Sequence, residues 1–132
     1  MATTTRRDPD VTLRFTRWPG LLRLTLGVVA GPVAALANEE LIYVTNMWAC
    51  GTRMQPAMHI VPLICLLVTL AAAGMSWADW DAVGRGLEEE EASVDARSRF
   101  LALAGMGISA LSALIILAQW LAIFVFGACM RA

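Results

Sequence analysis

The sequence is poor in residues that build metal and catalytic sites: among 132 residues it has one histidine, three cysteines and no lysine. The cysteines form no Cys-x-x-Cys pair, and one imidazole cannot hold a metal ion alone, so we expect no metal site built by this chain. Charged residues make up only 16% of the chain and the net charge is −1, which gives no basic field for nucleic acid. We therefore expect no nucleic-acid partner and no bound cofactor.

Apolar residues, in contrast, make up 58% of the chain and are concentrated in long blocks. Residues 60–78 and residues 100–130 contain no charged side chain. A helix needs about 20 apolar residues to cross a hydrocarbon core of about 30 Å, so each block is long enough to span a bilayer. These two blocks predict an integral membrane protein.

A third span is predicted near the N-terminus, although its apolar run is shorter. Residues 24–37 are uncharged, but residues 38–40 are Asn-Glu-Glu. Proline suits the first position of a helix, because its missing N–H would have no partner there. A helix that begins at Pro19 reaches residues 38–40 after about 20 residues, near the far interface of the membrane. We predict one long helix here, loosened midway by Pro32.

The predicted fold is all-α, with three transmembrane helices in an up-down-up bundle that forms a single membrane domain over residues 1–132. The predicted parts are an N-terminal segment at 1–18, helices at about 19–48, 57–78 and 99–128, and an acidic loop at 79–98.

The arginines predict the orientation of this bundle, because cytoplasmic segments of inner-membrane proteins carry an excess of basic residues. Eight of the ten arginines lie near the N-terminus or around the 79–98 loop, and the other two are Arg53 and Arg131. We therefore expect the N-terminus and the 79–98 loop in the cytoplasm of a bacterium and the C-terminus in the periplasm.

The N-terminal region also has an alternative interpretation as a cleavable signal peptide. Arginines, an apolar stretch and the small residues Ala35-Leu36-Ala37 are typical of one, and cleavage there would remove residues 1–37. Against this alternative, the apolar stretch contains Pro32 and two glycines, and the leader would be long.

Polar residues mark one face of the first predicted helix near its C-terminal end. Glu39, Tyr43 and Asn46 follow steps of three and four residues, so they share a face. Ionisable groups near lipid are costly and usually face protein or water. With Glu40 and His59 they are the candidate functional residues, as a proton acceptor, a cation ligand or a contact to a partner. The alternative is a location of the glutamates among the lipid headgroups, or their pairing with Arg53 or His59.

The third predicted helix carries small and polar residues on one face, which predicts a packing surface. Small side chains let membrane helices approach each other closely. This helix-packing seam consists of Ala102, Gly105, Ser109, Ser112 and Gln119. If it is buried, Gln119 needs a hydrogen-bond partner, because no water is present in the bilayer core.

Two of the cysteines are candidates for a disulfide. Cys50 and Cys129 lie on the periplasmic side in the predicted topology, where thiols tend to form disulfides. A bond between them would join the ends of the first and third helices, and it requires Cα atoms within about 7 Å of each other. Cys65 lies inside the second span and is expected to pack as a small apolar residue.

One combination of residues suggests a family. The chain contains Tyr43, the run Trp48-Ala49-Cys50, His59, Pro62 and Cys129 in this order. In this combination, over about residues 30–130, it resembles small bacterial membrane proteins encoded near haem–copper terminal oxidase genes. The resemblance implies an accessory or assembly partner of a respiratory complex, with Cys50 and Cys129 as the matched pair.

The sequence predicts a non-enzymatic function. An enzyme of this kind would need a nucleophile, a base and an orienting group, and Cys50 and His59 lack the third. We predict a small accessory subunit or assembly partner of a larger bacterial inner-membrane complex, in contact with lipid and with other membrane proteins. The alternative is a subunit of an oligomeric transporter or channel, with Glu39 and Glu40 at its mouth.

Overall fold

The computed structural model describes residues 17–52, 54, 56–83 and 94–126. These residues form three α-helices: α1 (Trp18–Thr52), α2 (Ala57–Val83) and α3 (Val94–Phe126). Each helix is long and apolar enough to cross a membrane, and each packs against the other two. Across the described residues, the prediction of an all-helical chain with three membrane-length helices is confirmed.

The helix bounds differ from the predicted ones around the acidic loop. Residues 79–83 continue α2 and residues 94–98 begin α3, so the prediction of a loop over the whole of 79–98 was wrong at both ends. The reason is burial: Asp79 and Ser98 point into the bundle and extend the buried faces of their helices. At the other end α1 continues beyond the predicted residue 48 to Thr52.

Proline fits the start of both α1 and α2. At the start of α1, where Pro19 lies, the amides of Gly20 and Leu21 donate to the carbonyl of Arg17 at 3.0 and 3.2 Å. In α2 the amide of His59 donates to the carbonyl of Pro56 at 3.1 Å. A proline lacks an amide hydrogen that would in any case have no partner in the first turn, so it starts a helix without loss.

The interior of the bundle consists of small and polar side chains. Buried positions recur at steps of three and four residues, the spacing of one helical face. On α2 they are Met58, Pro62, Cys65, Thr69, Ala72, Ser76 and Asp79, and on α3 they include Ser98, Ala102, Gly105, Ser109, Ser112 and Ile116. Such residues allow close backbone contact and interhelical hydrogen bonds, which hold membrane helices together.

Glycines permit the closest approach between α1 and the other helices. A Cβ on Gly105 would lie 2.7 Å from Ser76 Oγ and 3.1 Å from the carbonyl oxygen of Gly27. A Cβ on Gly31 would lie 3.0 Å from the Cα of Ser109. Ser109 also donates its hydroxyl to the Gly27 carbonyl at 3.3 Å. The backbones of α1 and α3 therefore meet where only glycine leaves enough space, with the Ser76 side chain of α2 beside them.

The outer surface of the bundle is apolar. Large side chains such as Leu67, Leu111 and Leu114 are more than half exposed, while Asn38, Thr69 and Ser109 are fully buried. A water-soluble bundle has the opposite distribution, with its apolar residues inside. This distribution and the helix lengths identify a multi-pass membrane protein in a lipid bilayer.

Candidate functional site

The helix contacts define two ends of the bundle, which we call the Arg23 end and the Cys50 end. At the Arg23 end, Arg23 of α1 contacts Asp79 of α2. Toward the Cys50 end, Asn38 of α1 contacts Gln119 of α3. The start of α1 therefore lies beside the end of α2, and the later turns of α1 lie beside the later turns of α3.

A groove with polar side chains in a largely apolar lining opens between α1 and α3 on the side of the Cys50 end. Its volume is about 280 Å³, and it is lined by Glu39, Ile42, Tyr43, Asn46 and Gln119. Three of these residues were predicted to share a face of α1. Gln119, which the sequence suggested for the packing seam of α3, lies on the opposite wall of this groove.

A chain of hydrogen bonds connects the groove to the interior of the bundle. Asn38 Nδ2 donates to Gln119 Oε1 at 2.6 Å, and Gln119 Nε2 donates to Glu39 Oε1 at 2.7 Å. Asn38 is fully buried, whereas Glu39 lies at the surface of the bundle. Gln119 thus has a partner at both ends of its amide, and it fixes the Glu39 carboxylate at the groove.

Two side-chain oxygens in or next to the groove accept no hydrogen bond from the described residues. These oxygens, Asn38 Oδ1 and Asn46 Oδ1, are buried. No basic side chain of the described residues pairs with the Glu39 carboxylate. Asn46 lines the groove beside Glu39, whereas Asn38 lies behind it in the interior. Because a buried acceptor without a donor is unfavourable by about 1–3 kcal/mol, the Asn46 oxygen and the Glu39 carboxylate suit a donor-rich group.

The other two candidate residues lie away from the groove. Glu40 is exposed and does not line it. His59 accepts a hydrogen bond at Nδ1 from Trp120 Nε1 at 3.0 Å, and its ring stacks on Phe124 with centroids 4.8 Å apart. Sequence reasoning grouped these residues with Glu39, but the structure gives His59 an aromatic environment between α2 and α3. The alternative pairing of Glu39 with His59 is replaced by its bond to Gln119.

The remaining members of the predicted packing seam lie inside the bundle. Ala102, Ser109 and Ser112 are buried, and Gly105 contacts α1 through Gly27. The hydroxyl of Ser112 donates a hydrogen bond to the carbonyl of Ile108 in the same helix at 2.9 Å. This surface is therefore used within the chain.

An ion pair that was not predicted from the sequence lies at the Arg23 end of the bundle. Arg23 Nε lies 2.9 Å from Asp79 Oδ1, and Asp79 is only 4% exposed. Trp80 packs beside this pair against Leu24 and Ala102. The spacing of buried residues on α2 could have indicated Asp79, because it continues the steps of three and four beyond Ser76.

The cysteines occupy different environments. Cys50 is disulfide-bonded, and Cys65 is free and buried. Cys129, the predicted partner of Cys50, lies outside the described residues.

The pairing of Cys50 with Cys129 can be tested by counting thiols after unfolding. Without reductant, a thiol reagent should label one cysteine per chain, which is Cys65, and with reductant all three. Replacing Cys65 by serine should abolish labelling in the absence of reductant. Replacing Cys129 by serine should release the Cys50 thiol. Failure to release it would contradict the pairing.

The described residues contain no cluster of three or more histidine, cysteine, aspartate or glutamate side chains that could hold a metal ion. No protein-family model, curated protein or solved structure matches the chain.

Proposed function

We propose that this protein is a small accessory subunit or assembly partner of a larger membrane complex in the bacterial inner membrane. The resemblance to proteins encoded near terminal oxidase genes favours a respiratory complex. The observation that carries the proposal is the length of α1 together with the apolar side chains exposed at its Cys50 end.

Helix α1 is longer than a membrane crossing requires. Its 35 residues extend about 52 Å, against about 30 Å for the hydrocarbon core and about 40–45 Å with the headgroups. Even a tilt of about 40° leaves about 40 Å along the membrane normal. If the Arg23–Asp79 pair marks one boundary of the core, α1 reaches the other boundary about 20 residues later, near Tyr43.

The last turns of α1 nevertheless expose large apolar side chains. Val44, Met47 and Trp48 are 62%, 70% and 52% exposed, and we call them the terminal patch. Beyond the hydrocarbon core, lipid tails do not cover such a surface. An exposed apolar patch of this kind is typical of a protein–protein contact, so a partner subunit best accounts for it.

We propose the orientation that the arginines indicate, with the Arg23 end in the cytoplasm and the Cys50 end in the periplasm. The three helices then cross the membrane in an up-down-up order. Two contacts support this order: Arg23–Asp79 places the end of α2 beside the start of α1, and Asn38–Gln119 places the later turns of α3 beside those of α1. Trp77 and Trp80, whose rings contact each other edge to face, would lie in the aromatic belt of the cytoplasmic interface. In this orientation the terminal patch faces a periplasmic partner.

Photo-crosslinking in the native host tests the proposed contact. The photoreactive residue p-benzoylphenylalanine in place of Trp48 should give a covalent adduct with another membrane protein. The same residue in place of Trp77 is the matched control, because Trp77 is an equally exposed tryptophan, at 51%, near the Arg23 end. It should give mainly lipid adducts.

Two results would contradict the proposed function. One is a lack of protein adducts at Trp48 under conditions in which the chain is correctly inserted. The other is migration of the native protein as a free monomer on native gels after extraction in mild detergent.

A transporter or channel subunit is the second candidate, favoured by the chain of polar groups from Glu39 to the buried Asn38. Next to Asn38, toward the Arg23 end, lies an apolar layer of Ala35, Cys65 and Ile116. The described residues of one chain therefore offer no continuous polar path, and transport would need an oligomer. Ion flux into vesicles that contain the purified protein, abolished by Glu39→Gln, would favour this function over the first.

A further inference from the structure

We propose that the groove between α1 and α3 receives the basic side chain of an arginine or lysine on a membrane helix of the partner. This inference rests on the proposed function, because it requires a partner subunit at the Cys50 end. The ligand of the groove is then a side-chain cation with several hydrogen-bond donors. The sequence alone left the role of Glu39 open between a proton acceptor, a cation ligand and a contact to a partner.

The hydrogen bonds of the groove indicate which chemistry is missing. Asn38 Nδ2 and Gln119 Nε2 each donate one hydrogen bond within the chain. The acceptors that line the groove are the Glu39 carboxylate and Asn46 Oδ1, which accepts no hydrogen bond from the described residues. Acceptors with a net negative charge call for a cation that donates several hydrogen bonds. A guanidinium group offers five N–H donors in a planar fork, and an ammonium group offers three.

The depth of Glu39 makes a cation at this place favourable. Glu39 lies about 24 Å along α1 from Arg23, so a hydrocarbon core of about 30 Å that began at the Arg23–Asp79 pair would include Glu39 near its far boundary. A carboxylate exposed to lipid is costly, so such groups pair with opposite charges or face water. The Glu39 carboxylate accepts a hydrogen bond from the neutral amide of Gln119. This bond satisfies one oxygen but leaves the negative charge without a counter-ion among the described residues.

A partner helix is favoured over a lipid headgroup because the groove is continuous with the terminal patch. Tyr43 lines the groove, and the patch begins at the next residue, Val44. A helix that covers Met47 and Trp48 outside the hydrocarbon core would pass directly along the groove as it enters the membrane. One basic residue on that helix could reach Glu39, as long side chains near membrane interfaces commonly do.

Crosslinking from the groove tests the inference in the intact complex of the native host. With p-benzoylphenylalanine in place of Tyr43, we expect a protein adduct whose attachment site lies within about one helical turn of an arginine or lysine on the partner. In the same background, Glu39→Gln should lower the yield of this adduct about tenfold, because it removes the charge from a desolvated pair. Glu40→Gln is the matched control, because it changes the same charge one residue away, outside the groove, and should leave the yield unchanged.

The outcomes separate this inference from the proposed function. An adduct with phosphatidylethanolamine, an attachment site far from any basic residue, or equal effects of Glu39→Gln and Glu40→Gln would overturn the groove assignment. If the Trp48 adduct persists in that case, the partner subunit stands and only its cation is wrong. If neither position gives a protein adduct, both proposals fail.

A charge exchange provides a check that is independent of the crosslinking yield. Glu39→Arg alone should release the partner during a detergent wash. Combination with a glutamate in place of the basic residue identified on the partner should restore retention. Lack of rescue, with both variants stably inserted, would contradict a direct pair.

Discussion

Gly105→Val is expected to lower the free energy of unfolding by about 2–3 kcal/mol, the upper range for overpacked cores. Ser76 could rotate away from the new side chain, but the carbonyl of Gly27, 3.1 Å from a Cβ at this position, belongs to the backbone of α1. The substitution therefore has to separate α1 from α3. Separation also weakens the bond from Ser109 to Gly27, which lies at the same level.

Gly107→Val is the matched control on the same helix. A Cβ on Gly107 meets no atom within 4 Å, so the new side chain should face lipid and leave the stability nearly unchanged. The measurement can use the buried free thiol of Cys65, which becomes reactive toward a fluorescent maleimide as the protein unfolds on heating in detergent. Equal melting temperatures for the two variants would show that α1 and α3 do not approach each other through Gly105.

Arg23→Met is expected to destabilise the bundle by about 2 kcal/mol, less than for a fully buried pair because Arg23 is partly exposed. It removes the Arg23 guanidinium from the Asp79 carboxylate, which stays inside the bundle. The effect should exceed that of Asp79→Asn, which keeps an acceptor oxygen in place. In that variant Arg23 can extend toward the headgroups and water, so its charge is not stranded.

The asymmetry between these two variants distinguishes a buried ion pair from a surface contact. A surface pair would give small and similar effects, well below about 1 kcal/mol. Arg17→Met serves as the control for loss of an arginine at this end, because Arg17 is exposed at the start of α1. If Asp79→Asn lowers the melting temperature more than Arg23→Met, the proposed order of desolvation costs is wrong.

The shared face of the groove residues and the need of Gln119 for a partner could be predicted from the sequence. Glu39, Tyr43 and Asn46 were predicted to share a face, and all three line the groove. Gln119 was predicted to need a partner if buried, and Asn38 supplies it. Asp79 was missed because it follows Trp77 and Ala78 at the end of an apolar run, where an acidic residue is typical of a loop.

Contacts between helices were less accessible to sequence reasoning. His59 was grouped with Glu39 as a candidate functional residue and as its possible partner. The rotation of α2, however, turns His59 toward Trp120 and Phe124. Periodicity along one helix identifies its buried face but does not give the rotation or axial offset of that helix against its neighbours.

The sequence alone determined that this chain crosses a membrane as helices, because the length and hydropathy of each apolar block are properties of consecutive residues. It also determined which residues share a face within each helix, since that depends only on the helical repeat. The tertiary structure decided that Asn38, Gln119 and Glu39 form one hydrogen-bonded chain and that Arg23 pairs with Asp79. Those contacts depend on how closely and in what register the three helices pack. Small residues such as Gly27, Gly31 and Gly105 set this packing, because they let distant parts of the chain approach each other.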